Sequence, residues 1–172
     1  MLEDKRVGYA RKMAREVIKK YSIIQPPINL HSILEGYGFQ YLEVESFPEK
    51  LDALFVYNNG VSYAAVNKNH HLHRKKFSLA HELGHKLMNH DVNYYKIPFT
   101  IDNPPDKDDH HKLEDIFEKE ANIFAGELLV PLNMLKSEFK KNQDIPTLSK
   151  IFQVSQEVVS IRIKDHMGIL FK

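Results

Sequence analysis

Two histidines four residues apart, with a glutamate directly after the first, make up His81-Glu82-Leu83-Gly84-His85. These are the residue types that bind a divalent metal and activate a water. At 3.6 residues per turn, helical positions 81 and 85 stand about 40° apart and present both imidazoles to one ion. Glu82 lies about 100° further round, displaced for a ligand but placed to hydrogen-bond a water held by the metal. A zinc ion in such a site lowers the pKa of its water to about 7, making hydroxide available at neutral pH. Glu82 is then expected to take that proton as general base and to pass one to a leaving amine. The chemistry expected is peptide-bond hydrolysis, with one Zn2+ per chain. Two histidines and a carboxylate also serve iron oxygenases, so Mn2+ and Fe2+ stay open as alternatives, but the adjacent Glu82 fits hydrolysis better.

A catalytic zinc site takes a third protein ligand, usually from Glu, His or Asp. The candidates are Asp91, Glu114, Glu118 and Glu120. Asp91 would need a turn with glycine at position 88, where the chain has Met88. Glu118 and Asn122 are four apart on one edge of the stripe Phe117, Ala121, Phe124, Ala125 and Leu128. From that edge Glu118 can ligate while Asn122 orients His81 from outside the coordination shell. Glu120 lies about 160° away on the other edge, so only one of the two glutamates faces the metal easily. An oxyanion donor could come from Tyr94, Tyr95, His110 or His111, among which the sequence does not choose.

These residues need a scaffold, and its pattern is that of an α+β domain. Apolar residues from Val7 to Tyr21 recur at three and four residue steps, predicting an amphipathic helix over about 4–21. Asn29 is placed to cap a short helix ending near Tyr37, with Gly38 at its C-terminal cap. A strand is expected over 39–44. Two more, Leu54 to Tyr57 and Val61 to Val66, flank Asn58-Asn59-Gly60 and read as a tight hairpin. The small sheet is expected to be antiparallel. Its hairpin, beside the histidine helix, could form a cleft rim that pairs with an extended substrate strand. The histidines fall inside a long helix from about His73 to Asn89, in which Gly84 lets a neighbouring element approach closely. A long loop, Asp91 to His111, precedes a second long helix from about Lys112 to Leu129. Pro131 then opens another helix in its first turn, and two short helices are expected within 146–167. The domain division expected is 1–145 for the main body and 146–172 for a small helical appendage packed on it.

Two blocks, Phe77-Ser78-Leu79-Ala80-His81-Glu82-Leu83-Gly84-His85 and Glu118-Lys119-Glu120-Ala121-Asn122-Ile123-Phe124-Ala125-Gly126-Glu127-Leu128-Leu129-Val130-Pro131, resemble the ImmA/IrrE family of metallopeptidases. The helices and hairpin before them resemble the family's arrangement too. That resemblance implies a zincin-like fold, with His81, His85 and Glu118 as the metal ligands and Glu82 as the catalytic base. It also implies limited cleavage of a helix-turn-helix repressor, of the kind encoded in prophages, mobile elements or stress-response loci. The family carries a histidine soon after the first block, and His90 is similar but one residue further on. On an unbroken helix His90 would point away from the metal pair, and it receives no role at this stage.

Bulk properties bound the alternatives. The 172 residues suit one domain, and 24 Lys+Arg against 23 Asp+Glu leave a net charge of +1, without the global basic field that draws a domain onto nucleic acid. With no cysteine there is no disulfide, thiolate zinc site or cysteine nucleophile. Nothing reads as a signal peptide or a membrane span, so the cytoplasm is the expected compartment. Two rival functions stand. Leu148 to Ile163 resembles the core of a helix-turn-helix DNA reader, with Arg162 as a candidate contact. Alternatively, the protein is an inactive metal-binding interaction module, a reading weakened by Glu82, which metal binding alone does not require.

Overall fold

The structure, a computed structural model, describes residues 2–47, 51–90 and 107–170. Among these are seven helices and a three-stranded sheet, an α+β arrangement. The N-terminal helix α1 (Leu2–Lys20) turns its small apolar face, Ala10, Ala14 and Val17, into the core. Asn29 caps α2 (Leu30–Gly36) by accepting from the Ser32 amide at 3.2 Å. The chain then enters β1 (Phe39–Val44).

Strands β2 (Ala53–Asn58) and β3 (Val61–Asn67) form the expected hairpin. Its two connecting residues, Asn59 (φ 49°) and Gly60 (φ 83°), both take the left-handed conformation that matches the twist of the strands. The sheet itself is mixed rather than antiparallel. Its order is β1-β3-β2, with β1 parallel to β3. The central strand β3 is also the one with consecutive buried residues, Ala64, Ala65 and Val66, so both of its faces are covered there. Both edges of β3 are occupied, so within the hairpin the edge left for the expected pairing with a substrate strand is that of β2.

Helix α3 (Leu72–Leu87) carries the two histidines, and α4 (Lys107–Leu129) lies against it. Helix α4 begins five residues before the predicted start and takes His110 and His111 into its first turns, and residues 91–106 of the expected loop lie outside the described residues. Leu79, Ala80 and Leu83 from α3 meet Phe124, Ala125 and Leu128 from α4 in one core. Each large side chain buried there stabilises the pairing by about 1.5–3 kcal/mol. Gly84 has no side chain to hold the helices apart, and a Cβ there would sit 2.9 Å from Phe124 Cδ1.

Pro131 caps α5 (Leu132–Lys141) from just outside rather than within its first turn. Asp144 caps α6 (Ile145–Phe152) through the Thr147 amide, and α7 (Gln156–Leu170) follows. Leu148, Phe152, Val154, Val159 and Leu170 from this last part belong to the same core as α1, α3 and α4. No helix is long and apolar enough to cross a membrane among the described residues.

Candidate metal centre

Helical spacing delivers what the sequence implies for α3: His81 and His85 lie one turn apart with their Nε2 atoms 2.9 Å from each other. From α4, Glu118 approaches both. Its Oε2 lies 3.1 Å from His81 Nε2 and its Oε1 3.2 Å from His85 Nε2. One donor atom from each residue falls within 4.8 Å of the others. Two nitrogens and a carboxylate oxygen converging in this way fit a zinc ion in chemistry and number, with a coordination position left for water. The exposure of the three side chains is graded, from 9% at His85 through 16% at His81 to 55% at Glu118. The group is therefore walled on one side and open on the other, as a site that admits substrate must be.

The outer nitrogens of both histidines are engaged. His81 Nδ1 lies 3.0 Å from Asn122 Oδ1, one turn along α4 from Glu118. An amide oxygen accepts only, so this contact puts the His81 proton on Nδ1 and leaves Nε2 bare toward the centre. Burial, and then His81 and His90, push the His85 imidazole down to about 3, so it is neutral across the physiological range. Glu82, partly buried on α3, is pushed the other way. Burial first and the Glu118 carboxylate second raise it to about 7, a value suited to giving and taking protons at neutral pH.

Two residues left without a ligand role are brought in by the fold. The helix α3 ends at Leu87, not Asn89, and Asn89 takes a left-handed conformation (φ 51°). That turn folds His90 back under the helix, where it is buried with Nδ1 3.0 Å from His85 Nδ1 and Nε2 2.9 Å from Glu120 Oε2. His90 thus faces the histidine pair, contrary to the reading from an unbroken helix. The signal was Asn89 itself, since asparagine tolerates the left-handed cap position. Glu120 occupies the edge of α4 away from Glu118, as its spacing implies, but it is buried there rather than idle. Asp91, Tyr94 and Tyr95 lie outside the described residues, and of Glu114, His110 and His111 only the backbone, within α4, is described.

A groove of about 1040 Å3 opens beside the centre. Glu118 and Asn122 stand in its wall, and Phe77, Ile123, Val158 and Ile161 give it an apolar lining contributed by α3, α4 and α7. Arg162, the candidate DNA contact on α7, is turned inward instead. It is 3% exposed, pairs with Glu127 on α4, and donates from Nε to the Val130 carbonyl at 3.1 Å.

Comparison with known proteins gives a family and a fold. The family model Peptidase_M78, the IrrE N-terminal-like domain, matches residues 41–164. Among solved structures, a Mycobacterium tuberculosis transcriptional regulator shares the fold, with a TM-score of 0.66 at 14% sequence identity. The likeness covers 91% of this chain and 46% of that one, so the chain spans less than half the length of the regulator it resembles. Among curated proteins nothing matches.

Proposed function

The chain belongs to the Peptidase_M78 family of IrrE N-terminal-like domains, and from that premise we propose that it is a zinc-dependent endopeptidase of zincin-like architecture. The convergence of His81, His85 and Glu118 carries the reading. These three residues would hold the metal, which when bound supplies Lewis acidity toward a carbonyl oxygen and lowers the pKa of a water. The protein's own groups do the rest. Asn122 keeps the His81 ring in its ligating tautomer. Glu82 removes a proton from the attacking water and delivers one to the leaving amine, a shuttle supported by its raised pKa. The apolar groove seats a stretch of polypeptide with its scissile bond beside Glu118. In this reading residues 1–145 form the peptidase body, and 146–172 form an appendage whose α7 supplies one groove wall. The substrate is a protein, and the family suggests a helix-turn-helix repressor in the cytoplasm. A DNA-reading role for the C-terminal helices draws less support, because Arg162 is buried in an ion pair.

The test is zinc stoichiometry of the purified chain and of folded His85→Ala and Glu118→Ala variants, followed by incubation with a repressor encoded beside it. One zinc per wild-type chain, lost in both variants, with repressor cleaved by the wild type, is the expected result. A folded wild type that takes up no metal would overturn the mechanism. One that binds zinc but leaves every candidate substrate intact, with Glu82→Gln indistinguishable from it, would favour the inactive module.

A further inference from the structure

Behind His85 a file of hydrogen-bonding groups runs away from the centre. His85 Nδ1 meets His90 Nδ1 at 3.0 Å, His90 Nε2 meets Glu120 Oε2 at 2.9 Å, and the same oxygen lies 3.4 Å from Arg6 Nη1 on α1. Phe117 stacks on the His90 ring, 4.4 Å between centroids and 19° between planes, which fixes the ring's tilt. His90 and Glu120 are 8% and 5% exposed, so water does not compete for the contacts among His85, His90 and Glu120, while the Arg6 end of the file is half-buried.

Along this file, only one arrangement of protons satisfies both histidine contacts with His85 ready to ligate, its Nε2 left bare for the metal to bridge to His81 and Glu118. Glu120, held by Arg6, is a carboxylate and accepts only, so His90 carries its proton on Nε2. His90 Nδ1 is then bare and must accept from His85. That puts the His85 proton on Nδ1 and leaves Nε2 bare toward His81 and Glu118. The reverse direction would put the His85 proton on Nε2, the state that cannot bind a metal.

We propose that His90, with Glu120 and Arg6, is a positioning relay that fixes the tautomer and orientation of His85 and thereby tightens metal binding. The proposal rests on the reading of His81, His85 and Glu118 as metal ligands. It extends to His85 the role that Asn122 plays for His81. Groups that orient a ligating imidazole typically alter metal affinity by about 10–100-fold when removed. His90 touches neither substrate nor metal and acts through His85 alone. Both histidines are then oriented from α4, one from each of its edges.

The experiment uses the full chain as wild type, His90→Leu, His90→Gln and Glu120→Gln, each checked for native circular dichroism. Zinc affinity is measured by competition with a chelator, and the ring nitrogens of His85 are read by 15N NMR in the zinc-free protein. Expected is a wild-type His85 protonated on Nδ1, with a mixture of tautomers and about 10–100-fold weaker zinc binding in His90→Leu. His90→Gln, whose amide can accept from His85 and donate to Glu120, should recover most of the affinity. A folded His90→Leu binding zinc as tightly as the wild type, or a wild-type His85 protonated on Nε2, would overturn the relay while leaving the metal site standing. If His90→Leu does not fold, Glu120→Gln decides by the same two readouts. A folded wild type that binds no zinc overturns the ligand reading itself, and the relay's role in metal binding with it.

Discussion

Gly84 and Phe124 mark a close approach of the two helices that carry the centre: a Cβ on the glycine would lie 2.9 Å from Cδ1 and 3.2 Å from Cβ of the ring residue. Alanine at position 84 would gain about 1 kcal/mol of helix propensity. It would lose about 1–3 kcal/mol to overpacking, because Phe124 Cβ is fixed to the α4 backbone and cannot swing aside. The steric term is expected to win. Gly84→Ala should lower the melting temperature by a few degrees, as read by circular dichroism, and should loosen zinc binding because the helices part. An unchanged melting temperature would mean that the contact yields freely.

Asn122 sets the ring of His81 through a 3.0 Å contact. Asn122→Ala should therefore weaken zinc binding by about 10-fold or more without unfolding the protein. Asn122→Asp, which keeps an acceptor at the same place, should restore it. Chelator competition on the three proteins decides; equal affinities would remove Asn122 from the site.

Glu82 stands beside the three donors without being one of them. Glu82→Gln is expected to bind one zinc per chain while cleavage falls by roughly 100-fold to 10,000-fold, the usual contribution of a general base. Metal analysis and a single-turnover cleavage assay on the same preparation separate the two effects. Loss of zinc together with activity would assign Glu82 to the metal instead.

The buried ion pair of Arg162 and Glu127 gives the fold a response to acid. Burial pushes the Glu127 carboxyl up, but Arg162 and Arg15 outweigh it and hold the group below the ordinary value of 4.5. Its folded pKa is therefore depressed relative to the unfolded chain. The stability it contributes is complete above pH 4.5 and fades as the pH falls through the folded value. Thermal melts from pH 7 to pH 3 should show this loss in the wild type and a flatter profile in Glu127→Gln. Arg162→Met, which leaves Glu127 buried beside Val130 with only Arg15 as partner, should cost roughly 3–5 kcal/mol at neutral pH. A cost within experimental error would show the pair to be dispensable.

Much of this was legible from local pattern. The bounds of β1, the turn at Asn59-Gly60, the cap at Asn29 and the spacing of His81 and His85 each depend on a few neighbouring residues, and a periodic sequence reports such features directly. The parallel pairing of β1 with β3 was not legible, because strand order is a property of the assembled sheet and not of any one strand's pattern. His90 was misplaced for a subtler reason. Helical arithmetic continues any face it is given, and it takes a single left-handed residue, Asn89, to reverse the direction of the next side chain. Glu120 was correctly placed on the far edge of α4, but its use waited on where His90 went. Arg162 sat in a segment patterned like a DNA reader, and only the packing of α7 against α4 turned it inward.

Glu118, Glu120 and Asn122 share one stretch of α4 with Ala121, Phe124 and Ala125, which are buried and lock that helix in place. The polar groups and the packed side chains therefore share one phase. A single residue inserted between Asn122 and Phe124 would rotate all three polar groups, and Ala121 with them, by about 100° against Phe124 and Ala125, disabling the centre while every side chain that builds it was still present. Along this stretch of helix, the spacing of the residues is as constrained as their identities.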